Sequence, residues 1–135
     1  MADSFNFELV SPERLLVSTK ARSVIIPGSE GEMTVMANHA PTMAVLKPGV
    51  VTVEKDSGET ARFVLFGGFV DVLPSGCTIL AESAVDYASF DRTDLERRIE
   101  AARSEHEASS DDNERFKLIQ LVDELTHLNH TVSNG

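Results

Sequence analysis

The chain has 135 residues, 41% of them hydrophobic and 25% charged, and carries a net charge of −10. That is room for one ordinary domain or a compact domain with an appendage. The acidity argues against nucleic acid and against direct adhesion to anionic lipid, and no apolar run reaches the roughly 18 residues that span a bilayer.

The opening residues Met1-Ala2-Asp3-Ser4-Phe5 lack the basic start and apolar stretch of a secretory signal, and the Arg-rich character of a transit peptide. The chain is therefore expected to act where it is made. From Phe5 to about Tyr87 the hydrophobic pattern has period two. Phe5, Phe7 and Leu9 alternate with Asn6 and Glu8, and Leu15, Val17, Thr19 and Ala21 alternate next. The stretch Ile25 to Pro41 reads as a strand, a tight turn marked by Pro27-Gly28 and Gly31, a second strand through Met33 and Val35, and a corner at Asn38-His39-Ala40-Pro41. Pro41 fixes its own φ and drives Ala40 out of the α region, so the corner is rigid and presents His39.

Val51 and Val53 lead into the turn Lys55-Asp56-Ser57-Gly58, and Ala61, Phe63 and Leu65 return from it, which predicts a hairpin. Phe69 to Leu73 and Thr78 to Glu82 follow, separated by Pro74-Ser75-Gly76. About ten short strands are expected, mostly antiparallel because no helical segment interrupts them. The predicted boundary lies at 87/88: a β-sandwich over residues 1–87 and an antiparallel α-helical hairpin over 88–135.

In the second part Thr93 and Glu96 fit a capping box, ahead of Leu95, Ile99 and Ala102 at helical spacing. Asp111 and Glu114 open a second helix, striped by Leu118, Leu121, Val122, Leu125 and Leu128. Residues 129–135 read as a frayed tail. The first 85 residues hold 10 acids and 6 bases, the remainder 12 acids and 6 bases, as expected of a solvated hairpin with a narrow apolar seam.

Catalytic and metal chemistry find little support. His127 and His130 share a helix face with Asp123, but histidine pairs on an exposed helix are common without metal. Cys77 reads as a buried thiol, and nothing in the spacing pairs it with His39 as a nucleophile. Gly67-Gly68 precedes strand-forming residues rather than the Lys-Ser/Thr and helix of a phosphate loop, so a bulge or tight turn between strands is expected. His39 is left as a core histidine, a docking contact or a base. Glu30 and Glu32 are solvated loop carboxylates or polar contacts to a partner.

Several runs resemble one family. Pro27-Gly28-Ser29-Glu30-Gly31-Glu32, His39-Ala40-Pro41 and Leu46-Lys47-Pro48-Gly49-Val50-Val51 are similar to the central signature of the epsilon chain of the bacterial F-type ATP synthase. Val10-Ser11-Pro12-Glu13, Gly67 to Leu73 and Ile79 to Ala84 resemble its flanking segments. The resemblance covers about residues 5–86 and implies a ten-stranded β-sandwich followed by a helical hairpin. It implies a non-catalytic central-stalk subunit that needs no cofactor. That subunit binds the gamma subunit, rests on the polar loops of the c-ring and couples rotation to the catalytic head. Its implied place is peripheral, on the cytoplasmic face of the inner membrane.

Carried over by position, Ser11, His39, Ala40 and Pro41 would face gamma, and Glu30, Gly31 and Glu32 the c-ring. The hairpin would reach alpha and beta subunits of the head. Relatives that brake ATP hydrolysis use basic residues on the second helix, where this chain has only Arg115 and Lys117, with Asp123 and Glu124 further along. Weak inhibition is expected. Some relatives bind ATP through an Ile/Leu-Asp-x-x-Arg-Ala stretch. Here Val85-Asp86-Tyr87-Ala88-Ser89-Phe90 keeps the aspartate as an ATP-site candidate and loses the arginine, so weak or absent ATP binding is expected. A nucleotide-sensing hairpin is the alternative function, and an enzyme using His39 a third.

Overall fold

A computed structural model describes residues 4–134. Met1 to Asp3, read above for targeting signals, and Gly135 of the expected tail lie outside the described residues. The chain divides into two compact units, residues 1–89 and 90–135.

Among the described residues the first unit holds seven strands: β1 (Phe5–Val10), β2 (Leu15–Gly28), β3 (Gly31–Met36), β4 (Thr42–Lys55), β5 (Thr60–Leu73), β6 (Gly76–Ala81) and β7 (Ala84–Asp86). A single 3-10 turn follows at Tyr87–Ser89. The strands run β1-β6-β5-β4-β2-β3, and β1 also pairs with β2, so the sheet closes on itself as a flattened, barrel-like sandwich. All pairings are antiparallel except that of β1 with β6.

The expected count of about ten is corrected to seven because β2, β4 and β5 are each 14 residues long. Pro27-Gly28 ends β2 as expected, and Gly28 pairs with Gly31 across the two-residue turn Ser29-Glu30. Pro48-Gly49 lies within β4, where a Cβ on Gly49 would come within 2.5 Å of the Pro27 ring. Gly67 and Gly68, expected at a bulge or at a turn between strands, lie inside continuous β5 at φ values of 102° and 139°. They mark where β5 exchanges partners: Leu65 pairs with Ala84 of β7, and Gly68 with Ala81 of β6. Only glycine adopts this backbone without strain.

The inward faces form one core. Phe5, Phe7 and Leu9 of β1 meet Val24 and Ile26 of β2, Val51 and Val53 of β4, Leu65, Val70 and Val72 of β5, and Ile79 of β6. Period-two alternation along β1 is complete, with Asn6 and Glu8 exposed between three buried residues. The Lys55–Gly58 hairpin forms as expected: Gly58 adopts φ 95°, and Glu54 pairs with Thr60.

The second unit contains α1 (Arg92–Ala108) and α2 (Asp112–Asn134). Asp91, not Thr93, caps α1: its carboxylate accepts from the Thr93 backbone N–H at 2.9 Å. Asp111 caps α2 through the Asn113 N–H. The helix continues to Asn134, where a frayed tail was expected. Leu95, Ile99 and Ala102 are buried on α1, and Val122, Leu125 and Leu128 on α2. Arg92 donates to the Asn129 side chain at 3.4 Å, tying the start of one helix to the end of the other, as in an antiparallel hairpin.

Candidate docking face

The outward side of the sandwich departs from the usual polar complement. Val45 on β4 lies opposite Phe69 on β5, Phe69 opposite Leu80 on β6, and Leu80 opposite Val10 on β1. Such directly opposed side chains on one face stand side by side across the sheet. Val45, Phe69 and Leu80 are each 53% exposed and Met43 76%, while their inward neighbours Val70, Val72 and Ile79 are fully buried. Both faces of these strands therefore carry apolar side chains, with Asp71 and Thr78 a polar pair on the outward side. The sequence signal for this lies in Met43-Ala44-Val45-Leu46 and in Phe69 to Leu73, where the alternation with polar residues lapses. Sequence reasoning assigned these runs to strands but missed them as a surface.

Two hollows adjoin the row. One, of about 390 Å³, is lined by Val10, Ser11, Pro12, Phe69 and Leu80 among others, and holds Ser11 at the margin of the apolar row. Ser11 is fixed locally: its N–H and hydroxyl both donate to the Arg14 carbonyl, and the hydroxyl also reaches the Glu13 carboxylate. The other hollow, of about 470 Å³, is lined by Ser29, Glu30 and Gly31 of the β2–β3 turn and by Thr42, Met43 and Val45 of β4. The Ser29 N–H donates to the Val45 carbonyl at 2.9 Å and anchors the turn beside β4. Glu30, Gly31 and Glu32 are all exposed.

The His39 corner sits at the far end of β3 from that turn, about 20 Å away by the rise of a six-residue strand. Asn38 holds φ 63°, His39 N–H donates to the Met36 carbonyl, and the Thr42 hydroxyl donates to the Ala40 carbonyl at 3.0 Å. The imidazole Nδ1 lies 2.8 Å from the Ala40 carbonyl, a contact that only an N–H on Nδ1 can satisfy. His39 is half-buried, while Ala40 and Pro41 are exposed. The corner is flanked by two exposed methionines, Met36 and Met43. Ser11 lies beside Phe69 and Leu80 in the first hollow, and the His39 corner leads into β4 just ahead of the exposed Met43.

Asp86 lies elsewhere, at the end of β7, where its carboxylate accepts from the Ala88 N–H at 2.9 Å and starts the 3-10 turn. The neighbouring Tyr87 ring is covered by the Arg62 guanidinium, 4.2 Å from its centroid, a cation–π contact that sequence spacing gives no means of finding. Cys77 is buried, and burial together with the charge of Asp71 pushes its thiol up to about 12, so it is no nucleophile at neutral pH. Among the described residues no group of three or more histidine, cysteine, aspartate or glutamate side chains could hold a metal. No described helix is long and apolar enough to cross a membrane.

The ATP synthase delta/epsilon chain β-sandwich domain matches residues 4–87. The ATP synthase epsilon chain of Rhizobium meliloti (strain 1021) is 61% identical over 132 residues, 98% of either chain. That of Mesorhizobium japonicum is 58% identical over 95% of either chain. Among solved structures, a chain of the Euglena gracilis mitochondrial ATP synthase OSCP/F1/c-ring assembly aligns over 96% of this chain and 81% of its own length, with a TM-score of 0.74 and 26% identity. A chain of the Tetrahymena thermophila central stalk/c-ring structure, 18% identical with a TM-score of 0.54, shares the fold over 64% of this chain and 69% of its own. With a sandwich and hairpin in the same order and identity sustained over nearly the whole length, the chain belongs to the ATP synthase epsilon chain family.

Proposed function

We propose that the chain is a non-catalytic central-stalk subunit of the ATP synthase, passing c-ring rotation to the catalytic head through the gamma subunit. The observation that carries this reading is the exposed row Val45–Phe69–Leu80, bordered by Ser11 on one side and the His39-Ala40-Pro41 corner on another. A contiguous apolar surface of this kind on a folded domain marks a protein contact. Its backbone is preformed by β4, β5 and β6, so little ordering entropy is lost on docking. Gamma takes this face, with the aromatic Phe69 as its central anchor.

Glu30, Gly31 and Glu32 occupy the opposite end of β3 and meet the c-ring loops, where the carboxylates pair with basic side chains. The complex is membrane-bound while this chain remains peripheral, on the cytoplasmic face of the bacterial inner membrane. The hairpin contributes at most a weak brake on ATP hydrolysis at the alpha and beta subunits, because its net negative charge opposes approach to an acidic surface. Asp86 serves its own turn through Ala88, which supports a structural role for it over an ATP site.

The test is co-purification of gamma with tagged chain. The wild-type chain is expected to retain gamma, and Phe69→Glu to weaken it by about 2 kcal/mol or more, roughly 30-fold. Glu59→Ala, at the β4–β5 hairpin tip, should bind as wild type. A wild-type chain that brings down no gamma overturns the stalk reading. Undiminished binding by Phe69→Glu would instead remove the apolar face from the interface.

A further inference from the structure

A carboxylate interrupts the outward apolar row. Asp71 lies on β5 between Phe69 and Leu73, which share its side of the sheet and are 53% and 52% exposed. Across the sheet it stands opposite the exposed Met43 of β4 and the half-buried Thr78 of β6. By contrast Asp86, Asp91 and Asp111 accept backbone N–H groups, and Asp56 and Asp94 face Arg22 and Arg98. Among the described residues no donor hydrogen-bonds the Asp71 carboxylate and no basic side chain pairs with it. Water satisfies it while the face is open. A partner closing over Phe69 and Leu73 strips that water away, and a buried charge without a counter-charge strongly opposes association. Such a partner must therefore bring a cation to this point.

We propose that Asp71 is a specificity-determining residue of the docking face, pairing with a lysine or arginine side chain that gamma lays between Phe69 and Leu73. The assignment rests on the reading of this face as the gamma contact. The apolar neighbours attract any apolar surface and select little by themselves. The carboxylate rejects surfaces that lack a matching cation. A second copy of this chain is among those rejected, since it brings another carboxylate on a protein of net charge −10. Exclusion of water by the surrounding row strengthens the pair once it forms.

Titration of gamma against the tagged full chain, as wild type, Asp71→Asn and Asp71→Leu, tests the pairing. Asp71→Leu makes the row continuously apolar, so a purely apolar contact would hold gamma as tightly as before or more tightly. With a cation opposite, both variants strand that charge in the interface, and each should weaken gamma binding about thirtyfold or more. Urea midpoints should match wild type, because the carboxylate has no partner within the described chain. Wild-type affinity in either variant overturns the assignment while leaving gamma on this face. Lost binding that comes with a lost fold also overturns it, since Asp71 would then support the sandwich. A wild-type chain that holds no gamma is a separate result, which overturns the stalk reading and this assignment with it.

Discussion

Cys77 shows how a single side chain ties core packing to solution behaviour. It lies on β6 opposite Val72, with the carboxylate of Asp71 near enough to add to the effect of burial. Its thiol is raised from 9.0 to about 12 in the folded chain. The folded state therefore keeps the proton where the unfolded chain has lost it. The stability this contributes is complete below the unfolded value and disappears as pH climbs towards the folded one. Between about pH 9 and 11 wild type is expected to lose about 2 kcal/mol more unfolding free energy than Cys77→Ala. Urea titrations across that range measure the difference, and parallel pH curves for the two proteins would contradict it.

The elements were legible where a local rule acted alone. Complete alternation in Phe5-Asn6-Phe7-Glu8-Leu9 and the stripe Val122, Leu125, Leu128 each matched one periodicity, and both gave the faces found buried. Misreadings arose where local and tertiary signals competed. Gly67-Gly68 looks like a bulge or a turn between strands in one dimension, but cross-strand hydrogen bonds carry β5 through it. The cap of α1 was misplaced because both Asp91 and Thr93 can cap a helix, and the box with Glu96 favoured the threonine. Observed geometry gives the two residues unequal weight. Asp91→Ala should cost the hairpin about 1 kcal/mol by removing the acceptor of the Thr93 N–H, while Thr93→Ala should cost only a few tenths. Helical content followed by circular dichroism through a urea titration would show this, and equal losses would restore the threonine as cap.

At the scale of the molecule, the candidate face was legible only in its margins. Ser11, Glu30 and His39 are polar or turn-bound residues that stand out in a sequence. Val45, Phe69 and Leu80 look like core until pairing across three strands puts them on one outward row. No periodicity in a single strand records which of two apolar faces meets solvent. The same accounting sets how the two units should fold when separated. The core cluster of the sandwich runs from Phe5 to Ala81, whereas among the described residues the hairpin buries six apolar side chains along helices of 17 and 23 residues. Isolated helices gain little in water without a packed face. Residues 1–89 alone should thus retain a β-type circular dichroism spectrum and one cooperative urea transition. Residues 90–135 alone should show a broad, shallow loss of helix on heating. A fragment 1–89 that melts gradually and binds hydrophobic dye would show instead that the sandwich depends on the hairpin for its core.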